Sequence, residues 1–537
     1  MPRVQSPSDG RVARRVVLRT LAAGAGAFVA TGLPRVAGAW RADVPIATTT
    51  AGRIRGLLDG EIKVFKGVRY GADPASRRFQ PPLPPAPWTG VRDAIELGPV
   101  APQTGLRDRR QSEDCLHLNV WTPGLRDGGK RPVLVWFHPG GYSGGTSNEV
   151  EADGARLSRG GNVTVVTVNH RLNVFGHLFL GEIGGEAFAD SGNVGILDLI
   201  LALKWVRDNV EEFGGNPGNV TIFGQSGGGA KCATLMTMPA AAGLFHRVLT
   251  MSGQQITASR VTTATRHAEQ LLAALSLSMD RVHMLQSLPM EQLVAASRAP
   301  AYLGPVKDGR SLPRDPFDPD APPLSAAIPM ILGNTAGETR TLIGRGDPTI
   351  FTLTWDTLPS KLEAHSPFMG DLDRREVIAS YRRWHPDYSP ADVFFASTTA
   401  SRSWRGQVIE ADRRAAQAAA AAHSWVFQFD WPTPIDGGRW GAHHGLDVPF
   451  IFDNVALVPE KVGTGADATR LAAQMSAMCV AFARTGRPDA PGLPAWPVYD
   501  LTRRATMVFD RTTRVVDDPR GQERRLFAPV PNVQPGT

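Results

Sequence analysis

The chain of 537 residues is 42% hydrophobic, 20% charged and 7% aromatic, with a mean hydropathy of −0.16. That is the composition of an ordinary soluble globular chain, and it excludes collagen-like, coiled-coil and wholly disordered polymers. The net charge of +7 does not mark a nucleic-acid-binding surface, because residues 1–39 carry six arginines against Asp9 alone and leave the remainder at +2.

Those first 39 residues predict an export signal. A polar start reaches Arg14-Arg15 and Arg19, a weakly apolar run covers 20–33, and Ala37-Gly38-Ala39 offers a small-residue cleavage pattern. The run is too short for a stable transmembrane helix. An arginine pair before such a run resembles a twin-arginine signal, with a general secretory signal as the alternative. On either route the mature chain is expected to begin near Trp40, to form one domain over 40–537, and to be periplasmic or extracellular.

Next in chain order, the proline cluster at 80–88 predicts an irregular surface segment. Apolar runs at 133–137, 163–168, 220–223, 248–251, 330–332 and 425–429 are unbroken by polar alternation, as in strands buried on both faces. Ile196, Leu199, Ile200, Leu203, Val206, Val210 and Phe213 step by three and four residues, which predicts a helix with one apolar stripe. A second helix is expected over 466–484, stopped by Gly486 and Pro488. Strands alternating with helices predict a mostly parallel, doubly wound α/β sheet. The stretches 255–325 and 340–420 read as helical insertions over one end of it.

Two segments carry chemistry. Phe137-His138-Pro139-Gly140-Gly141-Tyr142 ends the first apolar run, and its paired glycines can turn N–H groups into a shared cavity without side chains in the way. Gly224-Gln225-Ser226-Gly227-Gly228 follows a strand and opens a small-residue helix, which would push the Ser226 hydroxyl out of the sheet edge. The helix start adds N–H groups and a partial positive charge where a tetrahedral oxyanion would form. Neither motif is specific by itself; side by side they predict a nucleophile and an oxyanion hole.

With these segments in view, the chain resembles the type-B carboxylesterase family of α/β-hydrolases, the group of cholinesterases and bacterial para-nitrobenzyl esterases. The resemblance runs from about Thr49 to Phe527. It includes Phe65-Lys66-Gly67-Val68-Arg69-Tyr70, Ser112-Glu113-Asp114-Cys115-Leu116-His117-Leu118-Asn119-Val120, Val168-Asn169-His170-Arg171-Leu172 and Trp496-Pro497-Val498-Tyr499. It implies an α/β-hydrolase fold and completes a triad. Glu338, five residues after Gly333, matches the family's acid, and His444, before Gly445-Leu446-Asp447-Val448-Pro449-Phe450, matches its base. The order Ser226, Glu338, His444 is that of the fold. His443 is the competing base. Asp447, Glu113 and Asp114 are expected as salt-bridge or turn partners, and Ser252 as a hydrogen-bonding support.

Three departures stand out. Gln225 replaces the family's glutamate before the nucleophile, and Gly227 replaces its common alanine while keeping the N–H that joins Gly140 and Gly141 in the oxyanion hole. Ala101 stands where the partner of Cys115 would be, and the intervening loop holds no tryptophan, so no choline seat is expected. Cys115, Cys232 and Cys479 are odd in number and widely spaced, which predicts free thiols and neither a disulfide scaffold nor a zinc site. The implied activity is hydrolysis of small-molecule carboxylic esters through an acyl-enzyme, with no cofactor, metal, nucleic acid or membrane anchor. Amide, carbamate or polyester hydrolysis by the same triad is the alternative, and a non-catalytic binding module is a more distant one.

Overall fold

The unbroken apolar runs become the middle of an eleven-stranded sheet in the computed structural model, which describes residues 44–106, 109–418 and 423–534. The export segment expected at 1–39 lies outside the described residues. The strands are β1 (Leu57–Asp59), β2 (Ile62–Arg69), β3 (His117–Thr122), β4 (Arg131–Phe137), β5 (Thr164–Val168), β6 (Gly215–Gln225), β7 (Arg247–Met251), β8 (Met330–Thr335), β9 (Ser424–Phe429), β10 (Ala505–Phe509) and β11 (Arg514–Asp517). Their spatial order is 1-2-3-5-4-6-7-8-9-10-11. The seven from β5 to β10 pair in parallel, while β1, β2, β3 and β11 are antiparallel additions at the two edges.

Alternate residues of each buried strand feed two separate cores. Val133, Val135 and Phe137 pack on one face with α1 (Val194–Asn209) and α2 (Gly227–Leu235). Leu134 and Trp136 face the other way, toward α6 (Ala466–Thr485). There the Trp136 ring lies 4.9 Å from Phe223 and 5.1 Å, edge-on, from Phe452. Such pairs contribute about 0.5–1.5 kcal/mol each beyond area burial. The stripe from Ile196 to Phe213 is buried as expected, but its last residues tighten into a 3-10 turn, Val210–Phe213. Gly486 ends α6 at φ +78°, the left-handed stop that glycine adopts at low cost.

The two expected insertions differ in detail from the sequence reading. Within 255–325, Val261–Ala274 and Met290–Ala296 are helical, but the remainder from Pro300 to Pro323 is largely irregular, since proline has no N–H to donate to a helix. Within 340–420, α4 (Pro390–Thr398) and the π-helical Thr399–Trp404 lead into α5 (Arg405–Ala415), and α5 belongs to the sheet. Gln407 Nε2 donates to the carbonyls of Leu332 in β8 and Phe427 in β9, at 3.0 and 3.3 Å. The proline cluster forms the expected irregular surface segment, tied down where Trp88 Nε1 donates to Arg53 O at 3.1 Å. Among the described residues no helix is long and apolar enough to cross a membrane.

Candidate active site

Strand β6 runs directly into α2, and Ser226 sits between them at φ +55°, ψ −125°. A side-chain-bearing residue in that region is strained and is held only by its surroundings. The Ser226 N–H donates to Met251 O at 2.7 Å, and its carbonyl receives the Ala230 N–H at 3.0 Å, so strand and helix each fix one side of the turn. Close approach explains the glycines here. A Cβ on Gly228 would lie 1.9 Å from Phe137 O, and one on Gly227 would lie 2.1 Å from Gly141 O.

The Pro-Gly-Gly turn after β4 therefore rests against the start of α2. Gly140 O accepts the N–H groups of Ser143 and Gly144, at 3.3 and 3.0 Å. In a trans peptide the N–H points opposite its carbonyl, so the Gly141 N–H faces away from that turn. Among the described residues no protein acceptor takes the N–H groups of Gly140, Gly141 or Gly227.

A residue that the sequence does not single out lies beneath this loop. Lys231, on α2, is fully buried; its Nζ donates to Gly141 O at 2.8 Å and His138 O at 3.3 Å. Burial pulls its pKa down to about 7. The neighbouring imidazoles of His138 and His177 are pushed down to about 3, by burial first and then by the Lys231 charge.

Glu338 opens α3 (Glu338–Leu342), which follows β8, and is fully buried. Its Oε2 pairs with His444 Nδ1. Its Oε1 accepts Ser252 Oγ at 2.6 Å, Thr335 N at 2.7 Å and Asn334 Nδ2 at 3.1 Å. Burial alone would raise this carboxyl; the imidazole and the converging donors outweigh it and hold it below the usual glutamate value. The face of the imidazole meets Gln225, whose Nε2 lies 3.2 Å from His444 Nε2 and 3.5 Å from its Nδ1. No hydrogen bond joins Ser226 Oγ to His444 among the described residues, although both line one cavity of about 270 Å³. That cavity also takes in Gly141, Gly227, Tyr302 and Arg402, with Asn532–Gln534 at its rim. A larger cavity of about 610 Å³, beside Gln103 and Met290, contains none of these groups.

The structure brings Ser226, Glu338, His444, Gly141 and Gly227 together, with Gly140 adjoining. His443 is directed elsewhere: its Nδ1 contacts His444 O at 2.9 Å, and burial pushes it down to about 4. Ser252 supports the acid, as expected. Glu113 and Asp114 are ion-paired with Arg78 and Arg69, as expected. Asp447 is not. It is fully buried with no salt bridge, and burial together with the nearby Glu338 charge pushes it up to about 7; only its backbone carbonyl serves a turn, to Phe450 and Ile451. All three cysteines are free and buried. Among the described residues no cluster of three or more His, Cys, Asp or Glu could hold a metal ion.

Residues 43–527 match the model of the carboxylesterase family. The chain is 31% identical over 508 residues to the para-nitrobenzyl esterase of Bacillus subtilis (strain 168), covering 90% of this chain and 98% of that protein. It is 33% identical over 500 residues to the phenmedipham hydrolase of Pseudarthrobacter oxydans, covering 86% and 94%. Among solved structures, a Geobacillus stearothermophilus carboxylesterase superposes with a TM-score of 0.80 at 36% identity, covering 90% of this chain and 99% of that one.

Proposed function

The chain belongs to the carboxylesterase family, with its α/β-hydrolase fold and its serine-based hydrolysis of carboxylic esters, and from that premise we propose that Ser226, His444 and Glu338 are the catalytic triad. The observation that carries the assignment is a single cavity shared by a serine on a strained strand-to-helix turn and an imidazole bonded to a buried carboxylate.

The proposed reaction follows from that geometry. Glu338 takes the Nδ1–H of His444, which leaves the Nε2 lone pair facing the cavity. Ser226 Oγ then bonds to the ester carbonyl carbon while its proton passes to Nε2. The N–H groups of Gly140, Gly141 and Gly227 receive the oxyanion. When the tetrahedral species collapses, the carbon–alkoxy bond breaks and Nε2 returns the proton to the departing alcohol. Water repeats the cycle on the acyl-serine, giving the acid and free Ser226.

An organophosphate of the fluorophosphonate type tests this reading. It should label the protein once, with the adduct mapping to Ser226 by peptide mass spectrometry; an adduct on another serine would reject the assignment. Export by the twin-arginine route is likewise proposed, supported by Arg14-Arg15 before the weakly apolar run.

A further inference from the structure

The residues lining the Ser226 cavity include no aspartate or glutamate, and their basic members are His444 and Arg402. His444 is already matched by Glu338. Arg402 makes no ion pair, although the charge of Glu338 reaches it and opposes the effect of burial. No carboxylate lies within 4.0 Å of its guanidinium among the described residues; its side-chain polar contact is Ser403 Oγ at 3.4 Å, and its carbon lies 5.6 Å from the Phe368 ring centre. Burial pulls its pKa below the usual arginine value, which marks a cation short of solvent.

The backbone that carries Arg402 is held in place. Arg402 sits in the π-helical turn Thr399–Trp404, and such widened turns recur at functional sites. On one side the turn is fastened to the triad acid's own helix: Thr339 Oγ1 lies 2.8 Å from Thr398 Oγ1 and 2.9 Å from Thr399 Oγ1, and Thr339 N donates to Thr399 Oγ1 at 3.2 Å. On the other side Gln407 pins α5 to the strands β8 and β9. The turn that carries Arg402 is thus anchored at both ends beside the nucleophile, and a guanidinium fork suits a planar anion.

We propose that the preferred substrates of this site are esters that also carry a carboxylate, such as half-esters of dicarboxylic acids or esters of hydroxy acids, and that Arg402 takes the carboxylate. This rests on the reading of Ser226 as the nucleophile. The fork matches the two oxygens of a carboxylate, and one cation balances its single negative charge. A phosphate dianion would call for more positive charge than the cavity lining supplies.

The test compares isosteres. Ethyl hydrogen adipate is set against the ethyl ester of adipamic acid, and the acetate ester of 6-hydroxyhexanoate against that of its amide, with product alcohol or acid followed by chromatography. The wild-type enzyme should favour the carboxylate in at least one pair by about tenfold in kcat/KM, mainly through KM. In Arg402→Gln, and in Arg402→Met as a second variant that keeps the stem over Phe368, the ratio should fall to about one; Arg402→Lys should retain part of it. The ratio is taken within each variant, so any general loss of activity cancels. A wild-type ratio of one or less in both pairs, or a ratio that survives both neutral substitutions, overturns the proposal. Organophosphate labelling at Ser226 separates the two failures: correct labelling with no anion preference removes only the Arg402 inference, whereas labelling elsewhere removes the site itself.

Discussion

The side-chain amide of Gln225 lies over the His444 ring, its Nε2 3.2 Å from the ring's Nε2 and 3.5 Å from the Nδ1 that Glu338 holds. The amide presents a donor without a charge, where a carboxylate would present a charge and no donor. It lies over the ring and leaves the in-plane lone pair of Nε2 open to accept the serine proton.

Restoring a carboxylate there should therefore change the pH profile. In Gln225→Glu the added negative charge favours the protonated imidazole, and a protonated imidazole cannot act as base. The acid limb of kcat/KM should move to higher pH by about half a unit to one unit. Profiles of kcat/KM on a neutral aryl ester check this; a limb that stays put or moves to lower pH contradicts it.

The triad assignment predicts unequal effects at two adjacent histidines. Ser226→Ala and His444→Ala should each lower kcat by about 10⁴ or more with thermal unfolding little changed. His443→Ala should cost far less activity, because its ring points away from Glu338 toward the His444 carbonyl. Steady-state rates with parallel melting curves decide; an active His444 variant beside a dead His443 variant would reverse the assignment.

Much of this was legible in the sequence because buried parallel strands leave uniform apolar runs, as at Val133, Val135 and Phe137. The edge strands escaped notice. β1 is three residues long with exposed side chains, and β11 has no buried residue, so neither leaves an apolar run. Ser226 announces itself through its glycines, whereas Glu338 and His444 needed the family resemblance, since nothing local distinguishes them from surface residues. Lys231 and Arg402 were invisible for a different reason. A lysine reads as solvated until a loop some ninety residues earlier supplies carbonyls for it, and Arg402 owes its place to a π-helical turn that no periodicity forecasts.

Lys231 makes a separable prediction. Its pKa is about 7 folded against 10.5 for the free side chain, so between those values the unfolded chain binds the extra proton and folding stability rises with pH. Lys231→Met lacks this linkage. The stability of the wild type relative to Lys231→Met should thus increase from about pH 7 to about pH 10.5, measured by urea unfolding at several pH values. Loss of the contacts to Gly141 and His138 should also lower kcat about tenfold while KM changes little. A stability difference that is flat with pH counts against a strongly shifted amine.

Gly227→Ala probes how tightly the glycine loop sits. The new Cβ would meet Gly141 O, so the loop must retreat from the oxyanion position. We expect kcat to fall by about tenfold or more with secondary structure unchanged by circular dichroism. Full activity would mean that the loop gives way at no cost.

For the export route, lysines at Arg14 and Arg15 should leave the precursor in the cytosol, scored by fractionation and immunoblot. Normal export of that variant, dependent on the general secretory machinery, would remove the twin-arginine proposal.

The three cysteines have a practical consequence for anyone handling the protein. All are buried and unpaired, and burial raises each thiol's pKa, which suppresses the reactive thiolate. The folded exterior is therefore inert to maleimides. A single cysteine introduced at the exposed Thr512, in the turn between β10 and β11, would be the one reactive handle on the molecule. A fluorophore, a tether or a solid support could be attached there in defined orientation without first removing any native residue.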